Sequence, residues 1–242
     1  MTKTIAISGK GGSGKTTLAA MIIRILTQCD RSAVLAVDAD PNACLGITLG
    51  AEITETVSQI REKAVSQKPD SGTDRVRSFQ YGIQQIITEA DGFDLLTIGQ
   101  PEGPGCYCAA NNLLRQFLDE LRPSYQAVVI DNEAGMEHLS RRTAGSIDLL
   151  LITAEPTAIG KVTAERILAL SNTLPIAVKR AGIIWNKAQE GPRLGDAEIL
   201  GSIPYDESVA QAAADGKTIF DLDQKSPAFS AAQKITAQIG VN

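Results

Sequence analysis

Residues 9–17 read GKGGSGKTT, which matches the pattern G-x-x-x-x-G-K-[ST] of a phosphate-binding loop. The loop follows a short apolar run, TIAIS at 4–8, and precedes TTLAAMIIRILTQ at 16–28, which has helical periodicity. In this order, the backbone N–H groups of the loop and the positive end of the helix dipole face the same point. The sequence therefore predicts a strand, a phosphate-binding loop and a helix in succession.

The rest of the chain repeats the alternation of strand and helix. Further apolar runs lie at 33–40, 93–99, 126–132, 148–154 and 180–187. Helix-patterned segments lie between them, at 109–122 and 159–174. Continuous apolar strands that alternate with helices indicate an α/β fold with a doubly wound, mostly parallel sheet. In such folds the ligand binds beyond the carboxyl ends of the strands.

Composition limits the classes of function. The chain has 242 residues, 43% of them hydrophobic and 21% charged, with a formal net charge of −5. We expect a single domain over 1–242 and no nucleic-acid partner, since DNA-binding surfaces are normally basic. The first residues, MTKTIAISGKGG, contain too short an apolar run for a signal peptide, and no run is long enough to span a bilayer. We therefore expect a cytoplasmic protein with no membrane partner, in which paired cysteines serve metal or redox chemistry.

Residues 51–92 interrupt the alternation. They are polar and charged, with helical patterning around 54–64 and 75–90, and with a loop-like stretch, QKPDSGTD, at 67–74. We interpret the segment as a helical excursion on one side of the sheet. It is either a solvated face or a surface for a partner.

The loop residues have distinct predicted roles. Lys15 would reach the β- and γ-phosphates, and the Thr16 hydroxyl would be a ligand of Mg²⁺. The residues predicted to contact the nucleotide here are Gly11, Gly12, Ser13, Gly14, Lys15, Thr16 and Thr17.

A second lysine, Lys10, gives the loop the form G-K-G-G-x-G-K-T-T. This form resembles the deviant Walker A motif of the MinD/ParA/nitrogenase-iron-protein class of dimerising P-loop ATPases. The resemblance implies that Lys10 reaches across a homodimer interface to the partner's nucleotide, and that Lys10 and Lys15 are catalytic.

Acidic residues at strand ends extend the resemblance. VDADPN at 37–42 resembles switch I. This resemblance implies that Asp38 lies near the metal and that Asp40 is a catalytic residue near the attacking water. VVIDNEAG at 128–135 resembles the Walker B strand, with Asp131 on the water shell of Mg²⁺. Carboxylates at strand ends suit a Mg²⁺–phosphate site.

The base is predicted to be adenine. WNKAQ at 185–189 begins like the guanine motif N-K-x-D, but Gln189 replaces the carboxylate that guanine requires. Asn186 followed by IPYDES at 203–208 resembles the adenine pocket of the MinD/ParA class. The resemblance implies that Asn186 bonds the base and that Pro204, Tyr205 and Asp206 line it, with ATP as the nucleotide.

The pair Cys106 and Cys108 lies in GPGCYC at 103–108. Thiolates at i and i+2 can converge on one metal ion, and a two-fold dimer would supply the four ligands of a closed site. The stretches 99–115 and 131–142 resemble CooC-type ATPases, which mature the nickel centres of carbon monoxide dehydrogenase, with close relatives that serve acetyl-CoA synthase. That resemblance implies that Cys106 and Cys108 bind nickel or zinc at a dimer interface, and that a nickel enzyme is the client.

Other interpretations stay open. In one, Cys106 and Cys108 are two incidental thiols. In another, the protein is an ATP-dependent iron–sulfur reductase that resembles the nitrogenase iron protein. That class has a cysteine after the Walker B strand, and DNEAGMEHLS here has none. A spatial regulator in the style of ParA or MinD is a third. Cys29 and Cys44 suit packing, and His138 suits a surface or packing role.

Overall fold

The computed structural model describes residues 2–28, 33–66, 81–100, 116–133, 146–173 and 176–240. Within these ranges an eight-stranded sheet has the order β10-β9-β7-β1-β5-β2-β4-β3, and a separate pair joins β6 to β8. The strands are β1 (Lys3–Gly9), β2 (Val34–Ala39), β3 (Thr88–Glu89), β4 (Phe93–Thr97), β5 (Ala127–Asn132), β6 (Ser146–Ile147), β7 (Leu149–Ala154), β8 (Ala177–Val178), β9 (Ala181–Asn186) and β10 (Ile199–Ile203). Neighbouring strands of the large sheet run parallel except at β3, which pairs antiparallel with β4.

Helices connect the strands. They are α1 (Lys15–Thr27), α2 (Cys44–Leu49), α3 (Val57–Ser66), α4 (Ala158–Ser171), α5 (Glu207–Ala214) and α6 (Pro227–Gln238). Residues 81–85 and 116–121 are also helical, and short 3₁₀ turns span Arg122–Ser124 and Ile219–Asp221.

The strands are buried on both faces, because alternate residues join two separate apolar cores. On one face Ile5 and Ile7 of β1 pack with α1 and with Phe229 of α6. On the other, Ala6 and Leu35 share a core with Ile167 of α4 and with residues near 57, 83 and 117. Helices on both faces of a parallel sheet confirm the predicted doubly wound α/β fold.

The prediction was wrong at the end of the 51–92 excursion. Helix α3 fits the expected helix around 54–64, and 81–85 are helical, but Thr88–Glu89 form the edge strand β3. The β-branched run Ile86, Ile87 and Thr88 favours extended backbone, and Ala90 N–H donates to the Phe93 carbonyl to close a hairpin with β4. The loop predicted at 67–74 lies outside the described residues, as do 109–115 of the helix predicted at 109–122.

Strand β10 was absent from the sequence prediction. Its residues, ILGSI, form a short run that Gly201 interrupts, and the register with β9 shifts between Ile199 and Gly201. A run this short, with a glycine inside it, gives little periodic signal.

A buried arginine joins α1 to the C-terminal part of the chain. The guanidinium of Arg24 donates to the carbonyls of Ile219 (2.5 Å) and Leu222 (2.7 Å) and lies 4.5 Å from the ring centroid of Phe229. Burial lowers the pKa of Arg24, although the nearby carboxylates of Asp221 and Asp223 act to raise it. The helix that follows the phosphate-binding loop is thereby fixed to the turn between α5 and α6.

We expect Arg24→Met to destabilise the protein by about 2–4 kcal/mol, since it removes the side-chain donor to the carbonyls of the buried residues Ile219 and Leu222 and also removes the ring contact. Arg166→Met, at an exposed position of α4, is the matched control, with an expected change within about 0.5 kcal/mol. Urea denaturation of both variants measures the difference, and equal midpoints would contradict the structural role of Arg24.

Candidate functional site

The phosphate-binding loop lies at the carboxyl end of β1 and leads directly into α1. Gly12 (φ 78°) and Gly14 (φ 89°) have left-handed backbone, and a Cβ at Gly14 would overlap the carboxamide of Asn186. Helix α1 begins at Lys15 with no side-chain cap, so its first N–H groups are available to a ligand. This combination is the anion-binding arrangement that the sequence predicted.

Three side chains from the ends of β7 and β9 hold the loop from outside. Thr153 Oγ1 (2.8 Å) and Asn186 Nδ2 (2.7 Å) both donate to the Ser13 carbonyl. Lys187 Nζ donates to the Gly12 carbonyl at 3.1 Å. These bonds engage the Gly12 and Ser13 carbonyls from outside the loop, whereas Ser13 N–H donates to the Lys10 carbonyl within it at 3.1 Å.

A cavity of about 380 Å³ opens beside the loop. Its walls include loop and α1 residues, the end of β9, and the segment between β10 and α5. The lining residues that sequence analysis had proposed as nucleotide contacts are Gly12, Gly14, Lys15, Thr16, Thr17, Asn186, Pro204, Tyr205 and Asp206. The fold thus joins the predicted phosphate and base segments, which are far apart in the chain, around one space.

Two buried carboxylates lie next to each other near the loop. Asp38 and Asp131 are register partners on β2 and β5, and both are almost completely buried. The Thr16 hydroxyl donates to Asp131 Oδ2 at 2.6 Å. Among the described residues nothing bonds Asp131 Oδ1, which is buried. Burial raises the pKa of Asp131 to about 7, with the Thr16 hydrogen bond opposing.

Asp38 and Asp40 are oriented by backbone N–H groups. Asp38 accepts from Leu45 N–H (2.8 Å) at the start of α2 and from Asp40 N–H (3.2 Å). Burial raises the pKa of Asp38 to about 6, although these bonds lower it. Asp40 Oδ1 accepts from both the backbone and the side-chain nitrogen of Asn42 (2.9 and 2.8 Å).

These residues fit a Mg²⁺ ion. A buried carboxylate oxygen without a donor, a hydroxyl and a second buried carboxylate are hard oxygen groups of the kind that Mg²⁺ prefers, directly or through water. The roles of Thr16, Asp38 and Asp131 as metal ligands remain predictions.

The base segment carries much internal bonding of its own. Asp206 Oδ1 caps α5 by accepting from Ser208, and Oδ2 accepts from Ala228 N–H at 3.0 Å, at the start of α6. Burial would raise the pKa of Asp206, but these hydrogen bonds, with one from Ser226, lower it below its usual value. Tyr205 is exposed, whereas the Asn186 carboxamide already bonds Ser13 O and Lys187 N–H.

Sequence reasoning missed Thr153, Lys187 and Glu155. Lys187 Nζ also pairs with Glu155 Oε1 at 2.7 Å. The signal in the sequence was their position at the ends of two strands, where parallel sheets bind ligands.

The expected packing role of Cys44 was wrong, because this thiol is exposed at the start of α2.

Cys29, Cys106, Cys108 and His138 lie outside the described residues. Within the described part of the chain no cluster of three or more His, Cys, Asp or Glu side chains could hold a metal. The helices described there are all too short or too polar to cross a bilayer. Lys10 is exposed at the loop.

We expect Asp131→Asn to stabilise the ligand-free protein at pH 8 by roughly 1–3 kcal/mol, because it removes a buried charge. The folded-state pKa of Asp131, about 7, lies above the ordinary aspartate value of 3.8, so ionisation of this carboxyl lowers stability as pH rises from 3.8 to about 7. At pH 5, Asp131 is largely protonated in the folded protein but already ionised in the unfolded chain, so part of the penalty remains and the stability gain should fall to less than half of its value at pH 8. Urea denaturation at both pH values measures it.

Asp148→Asn is the matched control and should have the opposite sign. Burial raises the pKa of Asp148, but bonds from Lys179 and Thr4 N–H outweigh it and lower the pKa below its usual value. Its ionised form is therefore stabilising at pH 8, and the variant should be less stable there. A gain for Asp131→Asn that is equal at pH 5 and 8 would contradict the buried-charge explanation.

Comparison with known proteins places this chain in a family. The family model described as the CobQ/CobB/MinD/ParA nucleotide binding domain matches residues 4–219. An uncharacterized ATP-binding protein of Methanocaldococcus jannaschii is 36% identical over 247 residues, covering 97% of each chain. The carbon monoxide dehydrogenase accessory protein CooC of Rhodospirillum rubrum is 32% identical over 238 residues, covering 90% of this chain and 89% of that protein.

A solved structure agrees with the fold. The septum site-determining protein MinD of Pyrococcus horikoshii OT3, complexed with Mg-ADP, superposes with a TM-score of 0.70 at 20% identity. The superposition covers 99% of this chain and 96% of that one. This chain therefore belongs to the CobQ/CobB/MinD/ParA family of nucleotide-binding P-loop proteins.

Proposed function

We propose that this protein is an ATP-hydrolysing, dimerising metallochaperone that assists nickel insertion into carbon monoxide dehydrogenase or acetyl-CoA synthase. The observation that carries the proposal is the 32% identity to the CooC accessory protein across 90% of the chain. The Cys106–Tyr107–Cys108 sequence supports the metal part of it, and the cavity beside the phosphate-binding loop supports the nucleotide part.

ATP is the proposed nucleotide. Guanine needs a free carboxylate to accept its N1 and N2 hydrogens, and position 189 is glutamine. Asp206 also lines the cavity, but both of its carboxylate oxygens already accept protein hydrogen bonds. One N–H of the Asn186 carboxamide remains for the base.

Hydrolysis would rest on residues around the phosphate end of the cavity. Lys15, buried in the loop, would bind the β- and γ-phosphates, and Asp40, oriented by Asn42, would position the attacking water. Mg²⁺, when bound near Thr16 and Asp131, would supply charge neutralisation to the phosphates. Lys10, exposed at the loop, would reach the nucleotide of a second copy in a homodimer.

Nickel or zinc is the proposed cargo rather than a resident cofactor. Two thiolates per chain give four in a two-fold dimer, which completes a closed site. The client-binding surface is proposed to lie in 51–92, where α3 departs from the alternation of strand and helix. A single domain over 1–242 and a cytoplasmic location complete the proposal.

We expect Lys15→Ala to reduce the kcat of ATP hydrolysis at least 10²-fold, because the phosphate charge loses its lysine. Lys10→Ala should instead prevent dimerisation with a non-hydrolysable ATP analogue, measured by light scattering after gel filtration. Lys234→Ala, exposed on α6, is the control for loss of a lysine and should match the wild type. Normal turnover by Lys15→Ala would refute the phosphate-site assignment.

We expect the wild type to bind one Ni²⁺ or Zn²⁺ per dimer, and the double variant Cys106→Ser with Cys108→Ser to bind none. Metal analysis of gel-filtered protein measures the stoichiometry. Cys44→Ser is the matched control because its thiol is exposed but lies apart from the pair in sequence. Unchanged metal in the double variant would refute the site. A stable [4Fe–4S] spectrum after reconstitution with iron and sulfide would favour a reductase instead.

A further inference from the structure

Lys187, directly after β9, has an unusual backbone. Its φ of 57° lies in the left-handed region, which residues with a side chain seldom adopt. Such conformations persist where the surrounding contacts impose them, and they concentrate at functional sites. The hydrogen bonds of Lys187 lead to the phosphate-binding loop, to Asn186 beside it and to Glu155 after β7.

Both the backbone and the side chain of Lys187 serve the loop. Lys187 N–H donates to Asn186 Oδ1 at 2.9 Å, which fixes the carboxamide so that its Nδ2 points to the Ser13 carbonyl. Lys187 Nζ donates to the Gly12 carbonyl at 3.1 Å. Asn186, the last residue of β9, and Lys187, which follows it, therefore bond two consecutive carbonyls of the loop.

The orientation of these carbonyls determines where the loop's N–H groups point. In a trans peptide the N–H lies opposite the carbonyl. With the Gly12 carbonyl bonded to Lys187, Ser13 N–H turns to the Lys10 carbonyl at 3.1 Å and closes the loop. With the Ser13 carbonyl bonded to Asn186 and Thr153, Gly14 N–H points away from those two side chains, and Gly14 itself lines the cavity.

Glu155, after β7, holds the ammonium in place. Its Oε1 lies 2.7 Å from Lys187 Nζ, and both side chains are partly exposed. The carboxylate neutralises the ammonium and leaves it directed at a carbonyl rather than at the centre of the cavity. The loop is thus bonded to β9 through Asn186 and to β7 through Thr153, and the Lys187–Glu155 ion pair joins the ends of these two strands.

We propose that Lys187, held by Glu155, is a positioning residue that keeps the phosphate-binding loop in its phosphate-receiving shape before any ligand binds. This rests on the proposed function only in that the cavity binds a nucleotide phosphate. Removal of the Lys187 ammonium should then weaken the binding of phosphate groups and leave the binding of the base unchanged.

The test compares Kd values by calorimetry for Mg²⁺–tripolyphosphate, Mg²⁺–ADP and adenosine. Lys187→Met keeps the apolar stem that lines the cavity and removes the donor. We expect both phosphate ligands to bind about tenfold more weakly, the scale of one charge-assisted hydrogen bond, with adenosine unchanged. Lys187→Arg should restore binding to within about threefold of the wild type, and Glu155→Gln should give a smaller loss than Lys187→Met.

Lys179→Met is the matched control. Lys179 Nζ pairs with Asp148 Oδ1 at 2.7 Å, so this pair joins the beginnings of β7 and β9 as Lys187 and Glu155 join their ends. Loss of this equally short ion pair should leave all three Kd values unchanged. Equal melting temperatures of Lys187→Met and Lys179→Met would show that the phosphate effect is not general destabilisation.

The outcomes separate this inference from the proposed function. It is overturned if Lys187→Met binds tripolyphosphate as tightly as Lys179→Met does, or if it weakens adenosine and tripolyphosphate alike. A wild type that binds no phosphate ligand would overturn the nucleotide site and this inference with it. A wild type that binds tripolyphosphate but delivers no metal would count against the proposed function alone. The role of Lys187 would still be decided by the ratio of the tripolyphosphate Kd values of Lys187→Met and Lys179→Met.

Discussion

The burial of two carboxylates on adjacent strands is the constraint around which this site is built. Asp38 and Asp131 are in register on β2 and β5, within a sheet whose interior is mostly apolar. A buried negative charge without a partner is costly, and two of them close together repel each other. The protein supplies donors to three of the four oxygens, whereas Asp131 Oδ1 has none among the described residues. A cation that arrives with a bound nucleotide would satisfy such an oxygen.

Each donor to these carboxylates ties a different element to the site. Thr16 connects Asp131 to the first turn of α1, and therefore to the phosphate-binding loop. Leu45 N–H connects Asp38 to the start of α2, which has no side-chain cap of its own. A change of charge at Asp38 would therefore change the strength of the hydrogen bond at the start of α2. Helix α2 also exposes Ile47 to solvent, so the hydrogen bond from Leu45 to Asp38 connects the end of β2 to a helix on the protein surface.

The sequence predicted the fold and the location of the site because both depend on local patterns. The runs at 4–8 and 126–132 are continuous and apolar, so a buried parallel strand was the one consistent interpretation, and GKGGSGKTT determined the loop after β1. It did not predict β10 or the turn to β3, where short segments depend on contacts made elsewhere. Nor did it find Lys187, whose role arises from a left-handed backbone and a carbonyl 175 positions away in sequence.

The phosphate site cannot by itself distinguish this protein from its relatives. A fold and a nucleotide-binding domain are shared by proteins with different tasks, so the feature that directs this protein to a particular task must lie elsewhere. Under the proposed function that feature is the pair of cysteines near a dimer axis. If ATP and the metal both stabilise the same closed dimer, each must raise the affinity for the other by the same factor. Hydrolysis would then lower the affinity for the metal without any contact between the nucleotide and the thiolates. A protein that must bind its cargo tightly and still release it requires such a coupling.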